Sequence, residues 1–154
     1  MLELLAALML NPAGPPPEGA SARTPRTAAL QSCVDTEFGA GRDGSACIGR
    51  LSGPCQDAAG GSTTPGMIAC LAAEEADWRE LMDAALARAA ADQDLEPDAR
   101  RALARSQAGW RQSMERSLAV YDGRDGTIWP VIKTGVRADW TARRYFWVRS
   151  LIEP

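Results

Sequence analysis

The chain has 154 residues, a length that suits one domain. Hydrophobic residues make up 45% of it and charged residues 24%, so we expect a folded core rather than general disorder. Histidine is absent, which excludes histidine-dependent catalysis and metal binding, and a net charge of −3 gives no reason to expect a nucleic-acid partner.

The N-terminus has the pattern of an export signal. A short apolar run, residues 4–10, is followed by a stretch rich in proline and glycine and then by Ala20-Ser21-Ala22, a small-residue cleavage site. We therefore predict that residues 1–22 are a signal peptide, with a disordered tail as the alternative. No apolar run approaches the roughly 18 residues that cross a bilayer, so no transmembrane segment is predicted. The expected location is the bacterial periplasm or the exterior.

Four cysteines support export independently. Their even number is typical of a disulfide framework, and their spacings of 14, 8 and 15 residues lack the close pairs that zinc or redox motifs use. Three connectivities are possible. Local geometry favours Cys33–Cys47, across a hairpin of two short helices (30–38 and 45–51), and Cys55–Cys70, across a glycine loop.

The rest of the chain has helical periodicity throughout. A first long helix opens at Pro65, capped by Thr63 or Thr64, and a second opens at Pro97 after a polar break. The second helix places apolar residues and Gln107 at steps of three and four up to Tyr121. The last helix, from about residue 131 to 151, is predicted to bury a face made of Val136, Trp140, Arg144, Val148 and Leu151. The predicted fold is all-α: a small disulfide-stapled helical bundle, with three long helices and a short N-terminal helical hairpin.

Charge is unevenly distributed along the helices. Residues 71–99 hold two arginines and nine acidic residues, a local net of −7, whereas residues 100–154 hold eleven basic and five acidic residues, a local net of +6. One interpretation is an acidic helix packed beside basic ones. The other is an acidic surface that attracts a cationic partner. That surface would comprise Glu74, Glu75, Asp77, Glu80 and Asp83.

Several polar and aromatic residues have roles that the pattern suggests. Gln107 lies on an apolar stripe and is expected to bond to backbone inside the bundle. Arg144 is expected to hold a carboxylate or a helix end, with Glu74 as one candidate partner. Trp78, Trp110 and Trp140 fall on predicted buried faces, whereas Trp129, beside a glycine loop, is a candidate interface anchor. We find no catalytic motif, and predict no cofactor, no metal and no enzymatic activity.

From Cys55 onward the chain resembles the LprI N-terminal-type domain of bacterial lysozyme inhibitors. The motif residues are the cysteine pair, Glu74 and Trp78, then Leu103, Gln107 and Trp110, a glycine loop at Gly126-Thr127, and finally Thr141 with Arg144. The chain departs from the pattern at Asp83 and Leu86, where the family usually has Asn and Tyr, and at Leu118 and Val136, where it usually has a second cysteine pair. Residues 23–154 then form one helical domain, in which 23–54 are an extension and 55–154 the family region.

The resemblance implies inhibition of lysozyme by occlusion of its carboxylate-lined cleft. The loop from Tyr121 to Thr127 is the predicted inserted element, and the acidic helix face is the predicted steering surface. The candidate partner-binding residues are Glu75, Asp77, Glu80, Asp122, Arg124, Asp125 and Trp129. The alternative is an interaction module of the bacterial envelope without affinity for lysozyme.

Overall fold

The computed structural model describes residues 24–153, and within them all regular structure is helical. The all-α prediction is confirmed for this range. There are five α-helices: α1 (Pro25–Gly39), α2 (Ser52–Asp57), α3 (Thr64–Ala91), α4 (Pro97–Leu118) and α5 (Ile128–Ile152). Single 3-10 turns lie at Ser45–Cys47 and Ala119–Tyr121. The predicted signal peptide falls outside the described residues.

Side-chain caps mark the start of two of these helices, and a proline marks the start of three. The side chain of Thr24 accepts a hydrogen bond from the backbone N–H of Thr27 (3.2 Å) at the start of α1. The side chain of Thr63 does the same for Gly66 (3.1 Å) at the start of α3. A proline occupies the first turn of α1, α3 and α4, where its missing N–H costs nothing.

Two disulfides fasten the N-terminal part to the bundle. Cys33 of α1 is bonded to Cys47, with 5.9 Å between the two Cα atoms, and Cys55 of α2 is bonded to Cys70 of α3, with 5.7 Å. These are the two pairings that local geometry favours. The predicted helix over residues 45–51 is wrong, however, because only one 3-10 turn forms there. Gly44 (φ 79°) and Gly49 (φ 84°) take left-handed conformations on either side of it and interrupt the helix.

The core lies between α3 and α5, with α1 laid across one side. Trp78 of α3 is fully buried, and its ring meets the Phe146 ring of α5 edge-on at 5.5 Å and the Tyr145 ring at 6.0 Å. Phe38 of α1 completes the cluster, 6.1 Å from the Phe146 ring. Such edge-to-face contacts add to the stabilisation that burial of the rings supplies.

The buried face of α5 coincides with the predicted one only at Val148. Trp140 and Leu151 are exposed, whereas the buried positions are Val131, Ala138, Thr141, Ala142, Tyr145, Phe146, Val148 and Arg149. The small side chains among these positions allow the two long helices to approach closely. On α4 the predicted face is correct: Leu103, Gln107, Met114 and Leu118 are buried, and Trp110 is half-buried.

Candidate recognition surfaces

Glu74 is a buried structural carboxylate. Its side chain is 1% exposed and accepts four hydrogen bonds. Three come from backbone N–H groups, those of Gly49 (2.7 Å), Leu51 (2.9 Å) and Ser52 (2.6 Å), and the fourth from the indole of Trp78 (3.1 Å). Glu74 therefore organises the segment between the two disulfides, and its predicted ion pair with Arg144 is wrong.

The predicted acidic surface is largely internal. Glu75 and Asp77 are buried, so neither is available to a partner. Glu75 pairs with Arg79 of the same helix, and Asp77 accepts a hydrogen bond from Nε of Arg26 in α1 (3.0 Å). Glu80 is exposed and accepts a hydrogen bond from the Thr27 hydroxyl (3.0 Å). Asp77 and Glu80 thus link α3 to α1, and the buried charge of Asp77 is paired as a charge removed from water must be.

A seam between α4 and α5 brings Gln107 and Arg144 into contact. The Gln107 side chain is buried; its carbonyl oxygen accepts from Arg144 Nε (2.8 Å), and its amide approaches the sulfur of Met82 (3.3 Å). Its partners are therefore side chains, and the predicted bond to backbone is wrong. Arg144 also donates to the hydroxyl of Ser106 (2.9 Å). Burial lowers the pKa of the Arg144 guanidinium below its usual value, because desolvation disfavours the charged form.

The tryptophans divide between core and surface. Trp78 is buried and Trp110 is half-buried, but Trp140 is exposed, in contrast to its predicted burial. Trp147, which the sequence interpretation did not single out, is 42% exposed and carries the Arg144 guanidinium 4.2 Å from its ring centre. Its spacing of seven residues from Trp140 is the signal that would have found it, since these positions share one helix face.

The loop between α4 and α5 contains a second arginine held on aromatic rings. The Tyr121 and Trp129 rings stack at 6.2 Å with an angle of 27°, and the Arg124 guanidinium lies 4.4 Å from the Trp129 ring centre. Nε of Arg124 donates to the Val120 carbonyl (3.0 Å), which fixes the side chain across the turn. Within residues 24–153, no carboxylate forms an ion pair with Arg124. The loop thus presents an oriented cation.

The surroundings of Arg124 are exposed and partly apolar. Val120 is 57% and Ile128 51% exposed, on either side of the loop. Asp122 pairs with Lys133 of α5 and so ties the loop to the helix, whereas Asp125 is exposed. Apolar side chains around a fixed arginine are the composition that protein interfaces favour.

An open groove of about 420 Å³ runs between α3, α4 and α5. Met82, Met114 and Trp110 contribute its apolar lining, and three ion pairs contribute its charged groups: Glu75–Arg79, Asp83–Arg111 and Glu115–Arg137. Because these carboxylates are engaged by arginines, the groove has no pair of free carboxylates for acid–base chemistry.

Neither a metal centre nor a membrane span is found in the part of the chain that the structure describes. Across residues 24–153, no cluster of three or more cysteine or acidic side chains is placed to hold a metal ion. No helix in the same range combines the length and the hydropathy required to cross a membrane.

These features define a class: a disulfide-stapled helical protein whose distinctive surface groups are arginines fixed on aromatic rings. The family model described as lysozyme inhibitor LprI matches residues 55–147, and the chain belongs to this family. The match runs from Cys55 to Trp147 and includes Arg124 and Arg144. Helix α1 and the Cys33–Cys47 disulfide lie outside it. No curated protein matches the chain, and no solved structure does.

Proposed function

We propose that the protein is an exported bacterial inhibitor of lysozyme, which acts by binding and not by catalysis. Membership of the LprI family supports this role. Two disulfides support export, because such bonds persist in oxidising compartments such as the periplasm.

The proposed docking element is the loop between α4 and α5, with Arg124 at its centre. Lysozyme cleaves its substrate between two carboxyl groups, so a ligand that occupies the cleft gains from a cation placed between them. An arginine matches a carboxylate with two parallel N–H donors. Stacking on Trp129 and the bond to the Val120 carbonyl hold Arg124 in place before binding, which lowers the entropy lost on association.

The observation that carries the proposal is that Arg124 is oriented by aromatic rings but has no acidic partner within residues 24–153. The exposed side chains of Val120 and Ile128 would supply apolar contact around it. Asp125 would accept hydrogen bonds from donors that line the cleft, and Asp122 would keep the loop in shape through Lys133.

The test is clearance of a bacterial cell-wall suspension by lysozyme, followed by turbidity, with increasing amounts of the oxidised full chain. We expect dose-dependent protection. Arg124→Ala should weaken inhibition by about 30-fold, the equivalent of the roughly 2 kcal/mol that an interface arginine contributes. The matched control is Arg116→Ala, which removes an exposed arginine on the last turn of α4 and should leave inhibition unchanged.

Two results would contradict the proposal. Absence of protection by a chain shown to be helical and disulfide-bonded would favour the envelope-interaction module instead. If the Arg124→Ala and Arg116→Ala variants inhibit equally, the protein inhibits lysozyme but the loop around Arg124 is not the docking element. A sample without lysozyme, which should release no soluble product from the cell wall, tests for enzymatic activity of the chain itself.

A further inference from the structure

We propose that the seam between α4 and α5 is a second binding site, which takes one carboxylate of an acidic peptide segment in a partner protein. Its central group is Arg144. This inference goes beyond lysozyme inhibition and does not rest on it.

Within residues 24–153, Arg144 is the one cationic residue of α5 that forms no ion pair with a carboxylate. Each of the others is ion-paired, namely Lys133 with Asp122, Arg137 with Glu115, Arg143 with Asp139, and Arg149 with Asp35 and Glu153. Arg144 instead has neutral partners, the side chains of Gln107 and Ser106. A guanidinium that is partly desolvated without a counter-ion gains more from an incoming carboxylate than a solvated one does.

The site is already organised for such a ligand. Two of the five N–H donors of the guanidinium are used by Gln107 and Ser106, which leaves others for a ligand. The Arg144 guanidinium lies 4.2 Å from the ring centre of Trp147 and 5.7 Å from that of Trp110, so two aromatic rings contribute to holding the side chain. An arginine fixed in this way loses little rotamer freedom on binding.

The flanks of Arg144 indicate a peptide rather than a polyanion. Trp140 and Leu151 lie four residues before it and seven after it on α5, on the same helix face, and both are exposed. A nucleic acid or an anionic lipid surface would require several unpaired cations together, whereas α5 offers one, flanked by apolar groups. A second copy of this chain packed on the same face would bring two Arg144 side chains near each other, which is unfavourable.

The dimensions agree with an extended peptide. Four residues of helix rise about 6 Å from Trp140 to Arg144. Side chains two apart on one side of an extended chain are separated by about 7 Å. A glutamate on Arg144 would therefore place an apolar residue two positions away on Trp140. The site is separate from the Arg124 loop, because α5 rises about 24 Å over the 16 steps from Ile128 to Arg144.

The test compares two blocked pentapeptides on the full chain, one with glutamate at its centre and one with glutamine, each with flanking alanines and terminal leucines. Binding is followed by NMR through the side-chain N–H signals of Arg144 and Trp147. We expect the glutamate peptide to bind about tenfold more tightly, as a charge-assisted hydrogen bond predicts. Added salt should reduce this preference.

Two variants localise the effect. Arg144→Gln should bring the glutamate peptide to the affinity of the glutamine peptide, whereas the matched control Arg143→Gln, which removes the neighbouring but ion-paired arginine, should keep the tenfold preference. Thermal unfolding establishes that both variants are folded. Equal binding of the two peptides to the unmodified chain, or a preference that survives Arg144→Gln, would overturn the proposal.

Discussion

Replacement of Glu74 by glutamine tests the central structural contact of the N-terminal region. Glu74 uses both carboxylate oxygens: one accepts from Gly49 and Trp78, and the other accepts from Leu51 and Ser52. Glutamine has the same shape but one acceptor oxygen. In Glu74→Gln, two of the four N–H donors would therefore face an amide NH₂ group that cannot accept their bonds.

The expected cost follows from these contacts. Each buried donor left without an acceptor costs about 1–3 kcal/mol, so two of them should lower the free energy of unfolding by about 4 kcal/mol. For a domain of this size the change corresponds to a fall of about 15 °C in melting temperature. The loss should be concentrated in the segment from Gly49 to Ser52, whose amide hydrogens should exchange faster.

Glu75→Gln is the matched control. Glu75 is also buried, but its contacts with Arg79 and Thr141 both involve one oxygen, which glutamine can reproduce. We expect a cost of about 1 kcal/mol for the lost charge. Urea unfolding followed by circular dichroism compares the two variants. If Glu74→Gln lowers the free energy of unfolding no more than Glu75→Gln does, unsatisfied N–H donors do not control the stability of this region.

Two further predictions concern α5 and the glycines. Burial raises the pKa of Tyr145, so above pH about 10 the unfolded chain loses the phenol proton while the folded chain keeps it. The free energy of unfolding should therefore fall as the pH rises. Urea titrations from pH 8 to 11 should show a shallower fall in Tyr145→Phe, and an identical fall would contradict a raised pKa of Tyr145. Gly66→Ala should destabilise the protein strongly, because the added Cβ would lie 2.1 Å from a backbone oxygen of the preceding loop. Gly109→Ala lies on an open helix face and should raise the free energy of unfolding by about 0.5–1 kcal/mol. The two variants should therefore shift the urea midpoint in opposite directions.

The orientation of α5 shows where periodicity fails as a guide. Val136, Trp140 and Leu151 have helical spacing, but so do the buried positions Ala138, Ala142 and Tyr145. A helix with apolar residues on several sides has more than one candidate face. Contact with α3 selects the face with small side chains near Thr141, because it permits close approach, and this leaves Trp140 and Trp147 at the surface.

The candidate site was only partly predictable for the same reason. The loop around Arg124 follows from local composition, since a glycine-rich turn between two helices is exposed. The burial of Asp77 does not follow, because it depends on α1, which lies about 50 residues earlier and supplies Arg26 and Thr27. The burial of Glu75 likewise depends on a distant element, α5, which supplies Thr141. The role of Gln107 likewise depends on Arg144, a residue of another helix.

Short-range interactions along the chain specify the helix starts and the cysteine pairing. Thr63 and Pro97 mark helix starts, and each of the two disulfides closes a loop of 14 or 15 residues across a local turn. Which charges and rings are buried depends instead on how the helices pack against one another. Glu74 is buried because N–H donors from another segment of the chain satisfy its carboxylate. Trp147 is exposed because other side chains of α5 occupy the core. Those outcomes are set by the packing of whole helices, which no local pattern encodes.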